Sequence, residues 1–140
     1  MKRWIQRGII GACAVLFGIY GLIYLQNGRM MEVYNSFSMT SGSYMEERLS
    51  VVANRLYIKD KMACAEEIVK RCRENGFHNI LFSYDYAIPN ELQVTVYLSE
   101  EDVKEGKEIF SFTYTSRENS EEYNIVEHPE KFEIQIETES

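Results

Sequence analysis

Three patterns of apolar and polar positions follow one another along the chain, and each predicts a different kind of element. The first is an unbroken run: from Gly8 to Leu25 no residue is charged. At about 1.5 Å per residue, a helix of that length reaches about 27 Å, close to the ~30 Å hydrocarbon layer of a bilayer. Trp4 precedes the run, and Tyr20 and Tyr24 stand near its end, where aromatic rings settle at the two membrane interfaces. Residues 8–26 are therefore expected to form a transmembrane signal-anchor helix. The anchor is expected to be retained, because Tyr24-Leu25-Gln26-Asn27-Gly28 offers no pair of small residues at the spacing a signal cleavage site needs. Cys13 has only Gly8 to Ala12 ahead of it, too little apolar chain for a lipoprotein signal, so it is expected to face lipid or a partner helix. Gly11, Ala14, Gly18 and Gly21 share one narrow stripe of the helix, which suits close approach by a second transmembrane helix.

The second pattern is a spacing of three and four residues. After residues 27–43, read as a linker from the small polar run Ser36 to Ser43, Met45, Leu49, Val52 and Leu56 recur at helical spacing and predict a first amphipathic helix. In KDKMACAEEIVKRCRENG, Cys64, Ala65, Ile68, Val69 and Cys72 fall on one face, and charged residues fill the other. Asp60 is the expected cap of this second helix, and Gly76 its left-handed stop. Eight residues along a helix hold Cys64 and Cys72 about 12 Å apart, beyond the ~7 Å a disulfide tolerates. Both are expected to be core thiols.

The third pattern is alternation, which begins after Gly76. Ile80, Phe82, Tyr84 and Tyr86, then Leu92, Val94, Val96 and Leu98, predict a hairpin turning at Pro89-Asn90. Ser99 to Asp102 resembles a capping box opening one helical turn that ends near Gly106. Phe110, Phe112 and Tyr114 predict a further strand, Phe132, Ile134 and Ile136 the last, and Tyr123 to Val126 a short one between them. The fold expected is α+β: a transmembrane helix, then one or two amphipathic helices packed on a four- or five-stranded antiparallel sheet in a domain spanning residues 44–140. That outline is similar to cystatin-like and nuclear-transport-factor-like domains carried on a membrane helix, a likeness of architecture that no motif accompanies.

Charge fixes the expected topology. Lys2, Arg3 and Arg7 precede the span with no acidic residue among them, so residues 1–7 are expected to be a cytoplasmic basic tail and the remainder to lie outside the cytoplasm. All 22 acidic residues follow the span against 12 of the 15 basic ones, giving the exported part about −10. A field of that sign repels phosphate backbones, so nucleic acid is not an expected partner.

The chemistry expected is correspondingly sparse. His78 and His128 belong to no metal or nucleophile motif, paired acids such as Glu100-Glu101 sit in charged loops, and no phosphate loop is present. No catalytic residue, cofactor or metal is expected. The expected function is that of a single-pass accessory protein of the cell membrane, whose protein partner in an envelope complex meets the outward strand positions Gln93, Thr95, Tyr97, Thr113 and Gln135. The alternative is a membrane-anchored enzyme or ligand-binding domain with a cleft between helix and sheet. A pocket joining a histidine to converging carboxylates would favour that alternative, and a flat outer sheet face over a closed core would favour the first reading.

The anchor reading predicts full-length protein in the membrane fraction, with Cys13→Ala retained there unchanged. A soluble form beginning after residue 25, detected by mass spectrometry, would overturn it.

Overall fold

A computed structural model describes residues 2–137. The apolar run forms helix α1 (Lys2–Ile23), continued by one wider turn over Tyr24–Gly28. Together these make one helix long and apolar enough to cross a membrane, with none of its apolar window buried by the rest of the chain. Gly28 at the end of the turn lies against the Tyr24 ring: a Cβ there would meet Cδ2 of Tyr24 at 2.6 Å, so the ring would have to shift. The Arg29 guanidinium folds back to donate to the Leu25 carbonyl (Nη2–O 2.8 Å), satisfying a helix-end acceptor.

The helix end is tied to the domain through one amide. Gln26 Oε1 accepts from the Leu56 and Tyr57 N–H groups (2.8 and 3.1 Å), while Nε2 donates to the Tyr57 carbonyl (2.8 Å). Asn54 adds a bond to the Met30 carbonyl (2.8 Å).

The domain is a five-stranded sheet, β1 (Glu32–Ser41), β2 (Tyr44–Val52), β3 (Glu91–Tyr97), β4 (Phe110–Ser116) and β5 (Phe132–Glu137), whose spatial order equals the chain order. Three neighbouring pairs are antiparallel, but β2 and β3 run parallel. The sheet is therefore mixed, not antiparallel as expected. A parallel pair needs a crossover, and helix α2 (Lys61–Glu74) lies within it.

Several expectations need correction. The segment read as a first amphipathic helix is β2, and the one read as a linker is largely β1. In β2 the inward residues are Glu47, Leu49 and Val51; the carboxylate interrupts the apolar alternation, leaving Met45, Leu49, Val52 and Leu56 at a helical spacing. In β1 a register shift between Val33 and Asn35 breaks the period of two. Residues 80–86 form no strand, because β2 holds the edge of β3 that the expected hairpin required. Asn75 instead pins that segment as a loop, accepting from the Phe82 N–H and donating to its carbonyl, each at 2.8 Å. Tyr123 to Val126 is also irregular, with the Ile125 N–H donating to the Pro89 carbonyl (3.1 Å). Two strands before the helix and a parallel pair also set the fold apart from the helix-first outline expected.

Helix α2 starts with the Asp60 carboxylate accepting from the Ala63 N–H (3.0 Å). It stops at Asn75 (φ 55°, ψ 42°), not at Gly76, asparagine being the other residue that adopts the left-handed conformation readily. The short helix α3 (Glu100–Glu105) forms where expected, capped by Ser99 and closed by Gly106 at φ 71°. Cys64, Ala65, Ile68, Val69 and Cys72 of α2 meet Leu49, Val51, Leu92, Val94, Val96, Phe110, Phe112 and Tyr114 on the inner sheet face. Each fully buried aliphatic side chain there contributes roughly 1.5–3 kcal/mol.

Ile68→Ala is expected to destabilise the protein by about 2–5 kcal/mol, measured by denaturant unfolding. Burial also pushes the Cys64 thiol up to about 11 and that of Cys72 further still. In a Cys13→Ala background a maleimide should label both only after denaturation; rapid labelling of the folded chain would contradict this packing.

Candidate functional site

The outer sheet face gathers all five residues expected to form a contact surface. Gln93 pairs across to Thr113 and Thr113 to Gln135, Thr95 lies one step along β3, and Tyr97 ends the row opposite Val52. Ser111, Glu133 and Glu137 share that face. Because α2 covers only the inner side, hydroxyls, amides and carboxylates of the outer side stay partly in water.

Residues the alternation did not reveal complete this face. Tyr44, Glu46, Arg48 and Ser50 of β2 and Asn35, Phe37 and Met39 of β1 extend it across the two remaining strands. Phe37 is 51% exposed and Met39 46% exposed. The Arg48 guanidinium stands 5.9 Å from the Phe37 ring centroid and bonds Glu46 Oε1 at 3.0 Å, a cation–π contact that holds the ring on the surface. The Tyr44 hydroxyl donates to Glu91 Oε1 (3.1 Å); burial first, then the Glu91 carboxylate, push its pKa up to about 12. The one signal for these positions was the alternation of Phe37 and Met39 with serines, which the register shift at Tyr34 obscured.

The anchor stripe occupies one side of α1, and a Cβ at Gly11, Gly18 or Gly21 would meet nothing within 4 Å. Ala14 belongs to the same exposed helix. Among the described residues, none approaches a Cβ placed at these three glycines.

Two of the concavities lined by described residues hold candidate chemistry. At the end of α1, Tyr24, Arg29, Glu32, His78, Glu100 and Glu101 border an open depression of about 690 Å³. There His78 Nε2 lies 3.3 Å from Glu32 Oε1, but among the described residues no group of three histidine, cysteine or carboxylate side chains is arranged to hold a metal. His128 serves a turn: its Nδ1 accepts from the Asn124 N–H (3.4 Å) and its ring packs on Tyr123.

The second concavity, about 590 Å³, lies between the inner faces of β1 and β2 and the loop at residues 80–87. Ser36, Ser38 and Thr40 line one wall, and Leu81, Phe82 and Tyr86 another. Glu47 forms the floor at 6% exposure. Ser38 Oγ donates to Glu47 Oε2, and among the described residues no other donor or cation pairs with this carboxyl. Tyr84, whose hydroxyl donates to the Cys72 carbonyl (2.6 Å), stacks on Phe82 beneath the groove. Burial raises the Glu47 pKa even though the Ser38 bond lowers it. The facing titratable groups, Tyr84 and Cys72, are themselves held far up by burial and stay neutral around them.

No family model, curated protein or solved structure matches the chain significantly.

A carboxyl whose folded pKa lies above its unfolded value stabilises the fold most at pH below the unfolded value, and that advantage is lost as pH rises through the folded value. Glu47→Gln keeps the acceptor for Ser38 and removes the buried charge. It should raise the melting temperature by a few degrees at pH 7, and the gap should close as pH falls below about 4, where an ordinary glutamate protonates. An equal gap at both pH values would contradict this account.

Proposed function

We propose that the chain is a single-pass membrane protein whose N-terminus stays in the cytoplasm and whose acidic α+β domain, outside it, docks another protein of an envelope complex without catalysis. The outer sheet face carries this reading: apart from the buried Val52 at one end, its residues stay partly or fully exposed, and it sets the aromatic side chains Phe37, Tyr44 and Tyr97 among hydroxyls, amides and carboxylates. Buried aromatic anchors inside a polar rim are the usual energetic centre of a protein interface. The space between α2 and the sheet is filled by the core, and the groove floored by Glu47 opens beside it, under β1 and β2.

A second reading, a ligand-binding or enzymatic cleft, is favoured by the depression that sets His78 beside Glu32, with Glu100 and Glu101 on its border. Its weakness is that, among the described residues, Glu32 alone forms an ion pair with the imidazole.

Crosslinking in membranes of the source cell, followed by mass spectrometry, tests the docking reading. A discrete partner should be captured, and Tyr97→Ala or Phe37→Ala should weaken the purified complex tenfold or more, an aromatic anchor being worth about 2 kcal/mol. Capture of no partner, or a complex indifferent to both variants, would remove the outer face as the docking surface.

A further inference from the structure

The free edge of β1 joins the Glu47 groove in a way that specifies an occupant. β1 is an outermost strand of the sheet, paired on one side with β2. On β2 the odd-numbered residues turn their backbone groups toward β3: the Met45 carbonyl accepts from the Asn90 N–H, and Ala53, just past the strand end, donates to the Tyr97 carbonyl, both at 2.8 Å. Their partners on β1, Ser36, Ser38 and Thr40, therefore turn N–H and C=O groups outward to the open edge.

Natural edge strands are commonly protected by lysine, proline, a bulge or a covering segment. Here protection is confined to one end. Asn79 covers Val33, accepting from its N–H (3.2 Å) and donating to its carbonyl (2.8 Å), beside the register shift. From Val33 to Ser43 the chain has no charged residue and no proline, so the edge from Ser36 to Ser41 stands open.

The side chains at these edge positions are small hydroxyls, and behind Ser38 lies the Glu47 carboxyl with no cation beside it among the described residues. Leu81 and Tyr86 border the same groove at 79% and 95% exposure. We propose that β1 accepts an extended peptide of a partner protein as a sixth strand, with a lysine or arginine side chain passing over Ser38 to Glu47 and apolar side chains two residues to either side. Main-chain bonds to Ser36, Ser38 and Thr40 supply register, Glu47 supplies selection for a cation, and the loop at residues 80–87 covers the apolar positions. Side chains two apart on a strand share a face, so the apolar–basic–apolar pattern meets the groove while the intervening residues face the outer side. The acidic charge of the domain favours the encounter.

The full chain in lipid nanodiscs can be titrated with fluorescent Thr-Leu-Thr-Lys-Thr-Leu-Thr and with the same peptide carrying norleucine for lysine, read by anisotropy. Saturable binding is expected, at least tenfold weaker for the norleucine peptide. Glu47→Gln should abolish that preference. Ser36→Pro, which deletes an edge donor but no bond to β2, should weaken both peptides about tenfold or more. Tyr97→Ala should leave both titrations unchanged, so failure here and failure of the outer-face docking reading are separable. Absence of saturable binding to the wild-type chain, or a lysine preference that survives Glu47→Gln, would overturn the proposal. So would self-association abolished by Ser36→Pro in a chain that binds neither peptide, since the edge would then be occupied by a second copy.

Discussion

The parallel pairing of β2 with β3 is the constraint on which the rest of the molecule depends. Parallel neighbours cannot be joined by a tight turn, so the chain must leave the sheet between Val52 and Glu91, and α2 lies in that excursion. Its apolar face then buries Leu49, Val51, Leu92, Val94 and Val96 on one side of the sheet only. Of the remaining connections, a hairpin, the α3 segment and the loop at residues 117–131, the last packs Ile125 into the same inner core. An outer face left largely in water and an inner face packed by α2 are two consequences of one crossover.

The same excursion returns as the loop at residues 77–90 and accounts for the groove. Helix α2 ends at Asn75, whose side chain captures Phe82, and Asn79 reaches the edge of β1 at Val33. Between these two asparagine clamps the loop stands off the serine and threonine side chains of β1, and the space left is floored by Glu47. A buried carboxyl with a single hydroxyl donor is costly to the fold, and the physical role that suits such a residue is to meet a cation brought by another molecule. The hydroxyl row allows that approach because larger side chains on β1 would fill the space.

At the other end of the domain, Gln26 binds the backbone of Leu56 and Tyr57 through both ends of its amide. The apolar helix and the sheet are therefore joined by a fixed contact as well as by the short connection from Arg29 to Met31.

Patterns confined to one element were legible in the sequence. The uncharged run gave α1, the two-sided helix gave α2 with Asp60 at its start, and the alternations of Leu92, Phe110 and Phe132 with their neighbours gave β3, β4 and β5 with Gln93, Thr95, Tyr97, Thr113 and Gln135 on one face. Such patterns are intrinsic because a helix or a half-buried strand repeats its environment at its own period. Whether Tyr44 to Val52 becomes strand or helix, and whether Ile80 to Tyr86 joins the sheet, was decided by partners distant in sequence. Glu47 on the inner face and the register shift beside Tyr34 erased the period of two in β2 and β1, and it is the pairing of β1 with β2 and of β2 with the distant β3 that makes them strands. The groove, the open edge and the Phe37–Arg48 contact all lie on those two strands, so the tertiary structure alone could place them.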